Sequence, residues 1–60
     1  MTPARFCTLA AVIAGRFWRT QLPPLIGKGR WMVRTYASGE RPIPETVAKL
    51  MEMLASQSND

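Results

Sequence analysis

Between Arg30 and Ser38 the chain carries Arg30, Trp31, Arg34, Thr35 and Ser38, with no acidic residue among or between them. Trp31, Arg34, Thr35 and Ser38 recur at intervals of three, four and seven, so on a helix they share one face. Guanidinium, indole and hydroxyl groups side by side do not make or break covalent bonds. They donate hydrogen bonds to anions and acceptor edges, and they pack against flat rings. A solvated helix face ordinarily mixes both signs of charge, whereas this one offers donors and an aromatic ring without an acid.

The same bias extends along the chain. Residues 1–38 hold Arg5, Arg16, Arg19, Lys28, Arg30 and Arg34 and no acid, a charge of +6, while the remainder sets Arg41 and Lys49 against Glu40, Glu45, Glu52 and Asp60, a charge of −2. A basic front and an acidic tail imply an anionic partner on one side, for which nucleic acid and an acidic membrane both qualify. There is no His, and Cys7 is the single cysteine, so no metal site, disulfide or cofactor is expected. With all the acids confined to the last 21 residues, no acid–base or nucleophile–base pair can be assembled, and the expectation is not an enzyme. Gly27-Lys28-Gly29 lacks the glycine spacing and the Lys-Ser/Thr ending of a nucleotide-binding loop.

The elements that must position the face follow from spacing and punctuation. Thr2 and Pro3 open a first helix, expected from about Pro3 to Ala14, with Phe6, Leu9, Ala10, Ile13 and Phe17 as its apolar stripe and Gly15 as its stop. Arg5 before the apolar stretch Phe6 to Ala14 imitates a secretory signal, but that stretch is too short to span a bilayer and is better used as a core helix. Cys7 on this helix reads as a small buried hydrophobe. Trp18, Leu22, Leu25 and Ile26 mark a short second helix capped by Thr20, with Gln21 just inside and Gly27 beyond its end. Pro23-Pro24 fit only its first turn. A third helix spans about 30–38, its buried face formed by Val33, Tyr36 and Ala37 and its end capped by Gly39. Pro44 opens a closing helix with the stripe Val47, Leu50, Met51 and Leu54, lasting to about Ala55; Ser56 to Asp60 read as a disordered polar tail. The expected fold is all-α, a single domain over residues 1–55 in which a three-helix core is covered by the closing helix. No strand and no internal repeat is expected.

The run from Arg19 to Gly39 resembles the helix-turn-helix of the phage Cro and repressor family, in which a turn glycine is followed six residues later by a branched aliphatic and nine later by a large hydrophobe. Here those are Gly27, Val33 and Tyr36. Glu40-Arg41-Pro42-Ile43-Pro44 is similar to the loop after the recognition helix in many small repressors, and its Arg-Pro-x-Pro element and the chain length are similar to those of autoregulators that accompany anti-CRISPR genes. The sequence departs from the pattern at Pro23, where the family usually has a small residue, at Lys28, usually a hydrophobe, and at Gly29, often a Ser or Thr cap. The resemblance implies a lambda-repressor-like domain whose third helix enters the major groove. Arg30, Trp31, Arg34 and Thr35 would then meet base edges, and Arg19, Thr20, Gln21, Lys28, Ser38 and Arg41 would meet phosphate. Two placements stay open for Trp31, contact with a thymine methyl or sugar, or a plug in the core.

The function expected from these readings is a cytoplasmic, sequence-specific transcriptional repressor of the phage or mobile-element type that regulates its own synthesis and binds double-stranded DNA. A core of this size supplies only about 3–5 kcal/mol alone. A homodimer on a palindromic operator is therefore expected, joined through Met51, Met53 and Leu54 of the closing helix. The alternative is a small phage inhibitor that binds protein with the same helical scaffold. The acid-free helix face favours DNA, and the lack of excess acid argues against mimicry of nucleic acid.

Overall fold

In a computed structural model, which describes residues 1–58, the chain runs α1 (Pro3–Ala14), a 3-10 turn (Gly15–Phe17), α2 (Trp18–Ile26), α3 (Arg30–Ser38) and α4 (Glu45–Ser58). The described residues form an all-α unit without strands. Its radius of gyration, 10.1 Å, is that of a close-packed chain of this length. α1 begins where the Arg5 amide donates to the Thr2 hydroxyl at 3.1 Å and Pro3 occupies the first turn. Phe6, Leu9 and Ala10 are its buried face. They lie within the apolar stretch that imitates a signal, and the fold uses it as core.

α1 is the central post, since α2, α3 and α4 all pack against it, while α3 rests on α1 and α2 and, among the described residues, its backbone does not come close to that of α4. The core contains Phe6, Leu9 and Ala10 of α1, Trp18, Leu22 and Ile26 of α2, Val33 and Tyr36 of α3, and Val47, Met51 and Ala55 of α4. Ile13, Ala37, Leu50 and Leu54 pack against its margin, as does Cys7, whose Sγ lies 3.9 Å from the Ala37 carbonyl oxygen. At the centre the Phe6 ring meets Trp18 at 6.2 Å and Tyr36 at 5.8 Å, both edge to face.

Several expectations are corrected. Phe17 leaves the α1 stripe and is 63% exposed, because α1 ends at Ala14 and Gly15, at φ 76°, turns the chain out of helical phase. α2 starts at Trp18, not after a Thr20 cap, so Arg19 lies inside it and Pro23 and Pro24 fall in its interior. The prolines leave the Arg19 and Thr20 carbonyls without their helical donors. Both residues are exposed, and burial of Trp18, Leu22, Pro23 and Ile26 on one face holds the helix against its local preference. Leu25, expected with that apolar group, is exposed. Met51, expected at a dimer contact, is fully buried, because the α4 stripe that covers α1 includes it. α4 also continues through Ser56 and Gln57 to Ser58 rather than ending at Ala55; of the expected disordered tail, Asn59 and Asp60 lie outside the described residues.

The caps match the punctuation more closely. Gly27 ends α2 at φ 69° and Gly39 ends α3 at φ 85°, left-handed conformations that side chains disfavour. At Gly39 a Cβ would also stand 3.2 Å from the Pro3 ring, so this cap seats the end of α3 against the start of α1. Pro44 sits just before α4, its carbonyl accepting from the Ala48 amide at 3.0 Å.

Two phenylalanines separate core from surface. Phe6→Ala should cost about 3–5 kcal/mol and abolish a cooperative thermal transition followed by circular dichroism, whereas Phe17→Ala should shift stability by less than about 0.5 kcal/mol.

Candidate nucleic-acid interface

α2 and α3 meet across the turn Gly27-Lys28-Gly29, and both rest on α1, so their outer surfaces form a concave angle. In α3, at roughly 100° per residue, Met32, Val33 and Tyr36 turn toward the core, which leaves Arg30, Trp31 and Arg34 outward. In α2, burial of Trp18 and Leu22 leaves Arg19 and Thr20 outward. The two outward groups come together. Arg19, Thr20, Arg30, Trp31 and Arg34 line one open cleft of about 630 Å³.

The cleft lining holds three guanidinium groups and no carboxylate. Among the described residues the ion pair is Lys49 with Glu45, 3.3 Å apart on α4, well removed from these arginines in sequence. Like charges gathered without a partner repel one another and raise the local positive potential, which an arriving anion relieves. Each guanidinium presents a planar fork of donors that fits two acceptors at once, whether phosphate oxygens or the major-groove edge of guanine. Arg19 is held by its stack on the buried Trp18 ring, 4.6 Å from the ring centre. Arg41, from the loop after α3, reaches back to lie 4.8 Å over the Trp31 ring.

Of the residues expected at bases, Arg30, Trp31 and Arg34 therefore share the cleft, and Trp31 is 59% exposed, which excludes a core plug. Thr35 is the exception. It is 2% exposed, and its hydroxyl donates to the Met32 carbonyl at 2.8 Å, so it is withdrawn from the groove-facing set. Its angular position lies between the outward arginines and Tyr36, and a hydroxyl that finds an acceptor in its own helix can be buried without loss. Of the residues expected at phosphate, Arg19 and Thr20 line the cleft and Arg41 borders it through Trp31, whereas Gln21, Lys28 and Ser38 are exposed but do not line it. Ser38 donates to the Thr35 carbonyl at 3.2 Å. The two arginine–indole stacks were missed from sequence. Adjacency of Trp18 and Arg19 was a usable signal, but nothing local links Trp31 to Arg41. No group of His, Cys, Asp and Glu able to hold a metal occurs among the described residues, and no helix there is long and apolar enough to cross a membrane.

Substitution distinguishes the buried threonine from its exposed neighbours. Thr35→Lys should destabilise the fold by about 3 kcal/mol or more by forcing an unpaired charge into the core. Arg34→Ala and Arg19→Ala should each melt close to the parent, within about 0.5 kcal/mol. Chemical denaturation of the three variants checks this.

Comparison with known protein families, with curated proteins and with solved structures finds no match for this chain.

Proposed function

We propose that this protein is a sequence-specific DNA-binding repressor of the phage Cro and repressor type, autoregulatory, acting as a homodimer on a palindromic operator in the cytoplasm. One observation carries the reading: Arg19, Arg30 and Arg34, without an acidic partner among the described residues, face a single cleft between two helices joined by a glycine turn, with an exposed indole among them. In this arrangement α3 is the helix that enters the major groove. Its outer face is clear of α4, and its arginines can donate bidentate pairs to guanine. Arg19 and Thr20, on the flanking helix, stand where the sugar–phosphate backbone passes, and fix position without reading sequence. One such helix spans only a few base pairs, so a second copy doubles the site read. Met53, half exposed on α4, and the partly buried Leu54 are the expected side chains left for that contact now that Met51 belongs to the core.

Selection of bound duplexes from a random pool tests the reading directly and should return a two-fold symmetric site. Affinity for that site should fall steeply with salt, with a log–log slope of about −5 to −7 if a dimer neutralises about 6–8 phosphates. Arg34→Ala should cost about 1–3 kcal/mol on the selected site and relax the preference at one base pair, whereas Arg19→Ala should weaken all sequences alike and make the slope shallower by about one. A slope near zero, or a pool that shows no enrichment, contradicts the proposal. Sedimentation at micromolar concentration should show the dimer, and Met53→Lys should shift it toward monomer without unfolding it.

A further inference from the structure

We infer that Trp31 recognises the 5-methyl group of thymine in duplex DNA, with Arg41 as the positioning residue that holds the indole for it; the inference rests on the DNA-binding reading above. Trp31 is 59% exposed although it is the largest side chain in the cleft. An indole left in water is unfavourable unless something covers it. The chain itself provides one partial cover, the Arg41 guanidinium 4.8 Å over the ring. That contact takes one part of the ring and leaves the rest in the cleft beside Arg30 and Arg34.

The remaining surface is a flat apolar patch in a cleft otherwise built from hydrogen-bond donors. The donors match acceptors, which both phosphate and guanine supply. The patch matches none of these, and its aliphatic complement in the major groove is the thymine methyl, which no other base carries. Trp31 is the second residue of α3, at the end of the helix that meets base edges when such a helix enters the groove. The stack also explains why Arg41 matters from outside the cleft. It follows the Gly39 cap, so the path of the chain out of α3 returns its guanidinium onto the first turn of the same helix. A planar cation over an exposed indole favours one orientation of the ring, and a fixed ring can discriminate a methyl group where a rotating one averages over it.

The test uses the full chain and a duplex selected from a random pool, resynthesised with deoxyuridine in place of each thymine in turn, a change that removes only the methyl. The parent should lose affinity about fourfold at one position in each half-site, the value of burying one methyl group. Trp31→Ala should bind more weakly and be indifferent to deoxyuridine at that position, since the coupling between ring and methyl is then gone. Arg41→Lys keeps the charge but not the planar stack, so it should preserve the salt slope and lose most of the discrimination. Parent binding that keeps its salt slope but ignores deoxyuridine everywhere overturns this inference alone. Full deoxyuridine sensitivity in Trp31→Ala also overturns it, and parent-like discrimination in Arg41→Lys removes the role of Arg41. Tighter binding to single strands than to duplex would put the ring on a base face and overturn the methyl reading. Failure of the parent to bind duplex at any salt concentration overturns the DNA-binding reading itself.

Discussion

Phe6 has no exposed surface, and its ring meets the rings of Trp18 and Tyr36 edge to face, so three consecutive helices converge on one side chain of α1. The angle between α2 and α3 follows from that convergence. Each helix is too short to be stable alone, and the turn between them supplies a left-handed glycine and amide bonds from Gly27 and Lys28 to the Pro23 carbonyl, which close the end of α2. What holds the two at a fixed inclination is that Trp18 at the start of α2 and Tyr36 near the end of α3 share the same aromatic partner. The cleft on the far side is the outer surface of that angle, and its shape is inherited from the core.

The polar chemistry of the cleft depends on the same packing. Arg19 follows Trp18 directly, so burying the indole places the guanidinium at the rim and gives it an aromatic face to lie on. Val33 and Tyr36 turn one side of α3 inward, and Arg30, Trp31 and Arg34 are turned outward as a consequence. Charge repulsion among the three arginines is tolerable because the residues sit on rigid elements whose stability comes from elsewhere. Cohesion therefore resides in the apolar core, and the positive charge is kept at a solvated face.

α4 has a different role. It packs chiefly on α1 and covers the core through Val47, Met51 and Ala55. The loop between α3 and α4 is shaped by Gly39 at one end and Pro44 at the other, and it carries Arg41 back onto Trp31. The connection that joins the two helices therefore also contributes to the surface beside the cleft.

The sequence by itself determined the helical class, the glycine stops, the threonine cap of α1 and most of the core. Those features depend on local geometry: apolar side chains at helical spacing, an amide that needs an acceptor, and backbone angles open mainly to glycine. It also determined which arginines would share a face with Trp31, because that follows from turns of a single helix. Tertiary structure alone decided the fates of Phe17, Leu25 and Thr35, each of which sits at the margin of a stripe, where a shift of phase or a neighbouring helix settles whether it is covered, and it buried Met51 completely in the middle of the α4 stripe. It alone decided that Pro23 and Pro24 could lie inside α2, since burial on one face outweighs the two helical hydrogen bonds the prolines cannot donate. And it alone brought Arg41 to Trp31, because the two lie ten positions apart across a left-handed cap, and only the path of the chain through three dimensions makes them neighbours.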